Sequence, residues 1–323
     1  MSVRSESMDE NNKSVILQPL KSVESYSASK KQQYYTNIRE VCTNRKLKRQ
    51  TTPLIVNTIS RIVPILHRFD FEIRGSENLP KDDVAVFICN HSNSHDGFLV
   101  QELFARLKRP VTSLAAWDGL NIFNRYIIRL TDATFIKRDD KKSKESGILD
   151  FCTKILDGKI GFVFGEGTWN LHPILPMQRL RAGATEVALI TEKVIVPTIF
   201  EYVEVTGECK KENELYSKCI IVFGEPVKVS ASESIFEQTH VIQQKMEEMR
   251  KSIWQEIGVN RNSIQDINQK VYLNHVYLKK FKAIGYTFDS EYESQYLFYK
   301  GGKNENEYCI NEQGEFVPGN TKK

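Results

Sequence analysis

The chain has 323 residues, 40% hydrophobic and 27% charged, the balance of a folded globular protein and not of a disordered or fibrous one. Lys+Arg number 45 against 41 Asp+Glu, and the net charge of +4 is too even for a general nucleic-acid binder, which needs a clustered basic face. No stretch of 18 apolar residues occurs, which argues against a transmembrane helix, and the polar start Met1–Glu10 lacks the apolar core of a secretory signal.

Residues 1–50 are polar and lysine-rich and end in the basic run Arg45-Lys-Leu-Lys-Arg49, which predicts a solvated helix or free arm. A patch for anionic membrane is the alternative. Pro53–Leu66 is apolar with polar breaks, too short to span a bilayer, and suits a buried or interfacial helix. From Phe69 the pattern changes to short apolar runs between amphipathic stretches. Strands are predicted at Phe69–Ile73, Val84–Cys89, Val111–Ala115, Ala133–Lys137, Ile160–Phe164, Val194–Phe200 and Cys219–Phe223. Helices are predicted at Gly97–Lys108, Gly119–Leu130, Ser143–Leu156 and Gly183–Glu192, then at Glu233–Ile257 and Ser263–Ala283. Strands alternating with helices of this length predict an α/β fold with a mostly parallel central sheet flanked by helices. Near the C-terminus, a Gly301-Gly302 turn between Tyr296–Tyr299 and Glu307–Ile310 predicts a small β-hairpin. The six cysteines (Cys42, Cys89, Cys152, Cys209, Cys219, Cys309) form no Cys-x-x-Cys pair, which predicts reduced thiols in a cytoplasm and neither disulfide framework nor zinc site.

Three segments carry candidate chemistry. Asn90-His-Ser-Asn-Ser-His-Asp96 follows a buried strand and leads into a helix, the place where α/β proteins put their ligands. A turn there can bring the Asp96 carboxylate back to His91, fixing its tautomer and leaving the other ring nitrogen as a general base. Helix capping and metal ligation through His91, His95 and Asp96 are the competing readings. Phe164-Gly-Glu-Gly-Thr168 offers two glycines for close backbone approach and the polar groups of Glu166 and Thr168. It is neither a phosphate-binding Gly-x-x-x-x-Gly-Lys loop nor a serine-esterase elbow. Phe135-Ile-Lys-Arg138 closes another strand with cations that suit a phosphate.

In order, His-x4-Asp, Phe-Ile-x-Arg, Phe-x-Glu-Gly-Thr, Arg181-Ala-Gly183, Ile-Val-Pro-Thr and Phe223-Gly-Glu-Pro226 occupy roughly residues 69–229. This ordered set resembles the glycerolipid acyltransferase family, whose members acylate glycerol phosphate or lysophosphatidate. The resemblance implies His91 as general base and Asp96 as its orienting partner. It implies substrate binding by Asn90, Arg138, Glu166, Gly167, Thr168 and Arg181, with Arg138 facing the acceptor phosphate and Pro197 shaping the donor side. No metal or other cofactor is implied; acyl-coenzyme A or acyl carrier protein thioester is the co-substrate.

The chain also departs from the family pattern. Gly165 stands where proline is usual, Asp132 where glycine is usual, Trp117 where many members have lysine and Trp169 where arginine is usual. Trp117 and Trp169 are therefore candidates for setting acceptor choice. The resulting reading is a basic arm over residues 1–50, an acyltransferase domain over 51–257 and a helix and β-hairpin extension over 258–323. The implied activity moves a fatty acyl group from a thioester to a lysophospholipid hydroxyl, in phospholipid biosynthesis. The implied partners are a membrane surface with its lipid acceptor and the thioester carrier, not nucleic acid, with the protein peripheral at the cytoplasmic face of the cell membrane. Leu120–Leu130, with Arg125 and Arg129, is a candidate interfacial helix. The alternatives are a sugar or other non-glycerophosphate acceptor, a His/Asp-based hydrolase, or a silent lipid-binding protein.

Overall fold

In the computed structural model, the described residues are 17–45, 70–81, 84–92, 96–117, 131–137, 140–167, 170, 176–204, 216–259, 308–310 and 316–318. Among them, seven strands form one sheet: β1 (Asp70–Arg74), β2 (Val86–Cys89), β3 (Val111–Ala116), β4 (Thr134–Ile136), β5 (Ile160–Phe164), β6 (Ile195–Glu204) and β7 (Tyr216–Phe223). The order is β1-β7-β6-β2-β5-β3-β4. Every pair is parallel except β6–β7, so β7 and β1 run against the other five. The helices are α1 (Leu20–Glu24), α2 (Ala28–Asn44), α3 (Asp96–Arg106), α4 (Lys141–Leu156), α5 (Gly183–Thr191) and α6 (Ile235–Glu256). This is the predicted α/β architecture.

The central strand explains the layering. All four residues of β2 are buried, as a parallel strand covered on both faces requires. Phe87 and Cys89 face a core shared with Leu99, Leu103 and Phe104 of α3. Val86 and Ile88 face the other core, which holds residues of α2, α4, α5 and α6. Phe87, Phe104 and Phe162 pack ring on ring, with the Phe87–Phe104 edge contact at 5.1 Å.

Within residues 17–45 the structure corrects the sequence expectation of a solvated helix or free arm: α2 buries Lys31, Tyr35, Ile38 and Cys42, a helical stripe, against α4 and α5. Arg45 of the basic run is tied to Asp150 at 2.7 Å. At the C-terminus, Tyr308–Ile310 (β8) pairs antiparallel with Phe316–Pro318 (β9), and the predicted Gly301-Gly302 turn and Tyr296–Tyr299 strand lie outside the described residues. The segments Pro53–Leu66, Leu120–Leu130 and Ser263–Ala283 lie outside them too. Among the described residues, no helix is long and apolar enough to cross a membrane. Cys42, Cys89, Cys152 and Cys219 are buried free thiols.

Candidate active site

Parallel strands leave their C-terminal ends at one edge, and the singled-out loops gather there. Cys89 pairs with Phe164 of β5 and with Thr198 of β6, so β2 and β5 end together and release their loops side by side. The Gly165 N–H donates to the Cys89 carbonyl at 2.9 Å, continuing the ladder one step beyond the strand.

His91 and Asp96 meet across the turn. The imidazole Nδ1 lies 2.8 Å from Asp96 Oδ2, and the same oxygen accepts the Ser92 N–H at 2.9 Å. Asp96 is fully buried at the first turn of α3, while the His91 side chain keeps 19% of its surface exposed. A carboxylate acceptor at Nδ1 favours the tautomer with the ring proton there, the arrangement in which Nε2 can act as a general base. The ring stacks on Phe164, with centroids 4.2 Å apart and planes at 16°, which fixes its tilt. The Ser92 N–H bond ties the loop that precedes α3 to the same carboxylate and does not displace the pairing with His91.

Two residues assigned to substrate binding are instead struts of the loops. Asn90 is fully buried; its amide donates to the Phe200 carbonyl at 2.9 Å and accepts the Phe200 N–H at 2.8 Å. It therefore extends the β2–β6 pairing by one side-chain rung. Glu166 is also fully buried, and its two oxygens accept the His91 N–H at 2.8 Å and the Gln178 N–H at 2.9 Å. Burial pushes its carboxyl up to about 8, against the two backbone donors that favour the ionised form. The polar atoms of both residues point into protein, so neither offers its side chain to an acceptor.

Gly167 sits in the left-handed region at φ 72°, and a Cβ there would lie 2.6 Å from Arg181 Nε. The exposed Arg181 thus lies across the glycine loop, and only glycine permits it. At Gly165 a Cβ would meet Ile88 and Leu180 side chains at 2.7 and 2.8 Å, so here the core fills the space a proline ring would need. Trp117 directly follows β3 on the same sheet edge; half-buried, it sets its ring edge-on against Phe135 at 5.3 Å. His95, Arg138, Thr168 and Trp169 lie outside the described residues. Pro197 lies within β6, in register with Ile88.

Asp132, in glycine's usual place, adopts φ 61°, a conformation aspartate tolerates better than most side chains. Its carboxylate is held by Lys159 and, at 3.2 Å, by Lys154, while its carbonyl accepts from Lys154 and Thr112. The departure is locally compensated.

Sequence reasoning missed Tyr202, whose hydroxyl donates to Asp96 Oδ1 at 2.5 Å, and the buried pair Arg250–Glu201 at 2.6 Å. Arg250 also donates to the Pro176 carbonyl at 2.6 Å and reaches Ser92 Oγ at 3.4 Å. Spacing gave no signal for Tyr202, which is 106 residues from Asp96. Arg250 was legible: it falls on the buried stripe Ile242, Met246, Arg250, Ile253 of α6, where a cation requires a partner.

Residues 70–201 match the family model described as Acyltransferase. No curated protein matches the chain. Among solved structures, it is similar to the 1-acyl-sn-glycerophosphate (LPA) acyltransferase PlsC from Thermotoga maritima, with 18% identity and a TM-score of 0.44, over 72% of this chain and 95% of that one.

Proposed function

We propose that this chain, whose residues 70–201 form an acyltransferase-family domain, transfers a fatty acyl group from an acyl-coenzyme A or acyl carrier protein thioester to a lysophospholipid hydroxyl. The acceptor class is 1-acyl-glycerol-3-phosphate and its relatives, which makes the product a diacyl phospholipid precursor. The observation that carries this reading is the buried Asp96 carboxylate 2.8 Å from Nδ1 of a partly exposed His91, at the edge where β2 and β5 end.

The chemistry follows from that pair. His91 Nε2 takes the acceptor's hydroxyl proton as its oxygen attacks the thioester carbonyl. Asp96 stabilises the imidazolium that forms, and the imidazolium returns the proton to the departing thiolate. One ester forms, one thioester breaks and one thiol leaves, with no covalent enzyme intermediate. Arg181 over Gly167 provides a cation beside this edge for an anionic headgroup. A lipid acceptor resides in a bilayer while the thioester carrier arrives from water, so the reading places the enzyme peripherally at the cytoplasmic membrane face.

The test is thiol release from palmitoyl-coenzyme A with and without lysophosphatidate, read with a thiol-reactive dye. Acceptor-dependent release with formation of phosphatidate is expected. Release at the same rate without acceptor would make the protein a hydrolase and overturn the transferase reading.

A further inference from the structure

β6 runs on beyond the end of β2: Thr198 is opposite Cys89, and six further residues of the strand follow. Those residues flank the His91 loop, and their alternation sends successive side chains to opposite faces of the sheet. Phe200 and Tyr202 enter the core shared with α3, whereas Glu201 meets Arg250 of α6 on the other side. The loop is therefore braced from both faces by one strand segment. On the α6 side, Arg250 links Glu201, the Pro176 carbonyl and Ser92. On the α3 side, the Tyr202 hydroxyl reaches the carboxylate oxygen that His91 does not use.

We infer that Tyr202 is a positioning residue for the acyl-transfer dyad, holding Asp96 so that Oδ2 faces His91 Nδ1; the inference rests on the transferase reading above. A buried tyrosine hydroxyl needs a partner, and an ordinary core tyrosine finds a carbonyl. Here the partner is Asp96, which is fully buried and cannot recruit bulk water for Oδ1. With Oδ2 shared between His91 and the Ser92 N–H, donation at Oδ1 fixes the rotation of the carboxylate about its last bond. Without that donor, the buried carboxylate loses the hydrogen bond at Oδ1 that holds its rotation. The carboxyl then turns from the orientation that serves His91 Nδ1, which weakens its hold on the imidazolium. Tyr202 touches neither substrate nor reacting atoms; it acts through Asp96.

The experiment compares wild type, Tyr202→Phe, Asp96→Asn and the double variant in the thiol-release assay. Tyr202→Met, which also fills the site without a hydroxyl, serves if the phenylalanine variant does not fold. Tyr202→Phe is expected to lower kcat about 10- to 100-fold with both KM values within about twofold. In the Asp96→Asn background the same change should alter kcat less than about twofold, because the group it positions is gone. Independently of turnover, the low-field proton resonance of His91 Nδ1–H should move in Tyr202→Phe. Wild-type kcat with an unmoved resonance, or an equal loss of kcat in both backgrounds, overturns the inference. The resonance needs no substrate, so a wild type lacking acceptor-dependent release would refute the transferase reading while Tyr202 is still judged.

Discussion

Replacing Glu166 by glutamine tests the loop architecture at the point where one side chain holds two strands' loops together. Both carboxylate oxygens accept backbone N–H groups, from His91 and from Gln178. A protonated carboxyl still has a lone pair on its hydroxyl oxygen for an N–H, whereas an amide has one acceptor oxygen, so whichever way it turns an NH2 faces one of those donors, at a cost of about 1–3 kcal/mol. The pH dependence adds a second signature. The Glu166 carboxyl is raised by burial from 4.5 to about 8. Between those values the folded protein holds a proton that the unfolded chain has released, so stability falls as pH rises. The slope approaches 1.4 kcal/mol per pH unit, roughly 5 kcal/mol across the window as an order of magnitude. The group's contribution is greatest below the unfolded value and is lost as pH rises through about 8. Glutamine does not titrate. Glu186, raised to about 7 by burial alone, titrates in both proteins and cancels from the comparison. Urea unfolding of wild type and Glu166→Gln from about pH 5 to about pH 9 should therefore show the variant less stable at the acid end and the gap closing towards the alkaline end. Parallel curves would refute the titrating role, and equal stability at the acid end would refute the two-donor geometry.

His91→Ala should nearly abolish transfer, and Asp96→Asn should keep the fold but lose a factor of the order of 10⁴ in kcat, as tautomer loss does in hydrolytic triads; near wild-type turnover in His91→Ala would end the mechanism. Arg250→Met leaves Glu201 buried without its cation and the Pro176 carbonyl without its donor, and should cost about 3–5 kcal/mol in urea unfolding; a loss below about 1 kcal/mol would show the site relaxes. Trp117→Lys introduces the cation that many members of the resembled family carry and should raise kcat/KM for lysophosphatidate, relative to an uncharged acceptor, about tenfold, the lower end of a charge-assisted contact; an unchanged ratio would leave the phosphate to the arginines.

The parts of the fold legible in the sequence were those whose burial is local in origin. Val84–Cys89 and Ile160–Phe164 are apolar runs because both faces of a parallel strand are covered; the first forms a strand over Val86–Cys89, two residues shorter than predicted, and the second over its predicted range. The His91–Asp96 pair was legible because five residues of loop and helix start bring the two groups together without help from the rest of the chain. The N-terminal helix was not. Its stripe of Lys31, Tyr35, Ile38 and Cys42 is diluted by polar neighbours, and the salt bridge that lets Lys31 enter the core, to Glu24 at 3.1 Å, involves a charge that composition counts as solvated. The misreading of Asn90 and Glu166 has the same origin. A polar side chain at a strand end is equally suited to a ligand and to a backbone group, and the choice depends on which backbone passes within 3 Å. For Asn90 that backbone is Phe200, 110 residues away, and for Glu166 it includes His91, 75 residues back. The dyad itself is a local construction, but its orientation is assembled from non-local contacts: Glu166 from the loop after β5, Tyr202 from β6 and Arg250 from α6. Two of these, Tyr202 and Arg250, lie beyond residue 201, where the family match ends. A motif search therefore finds the local pair, whereas Tyr202 comes to it only where the chain folds back on itself.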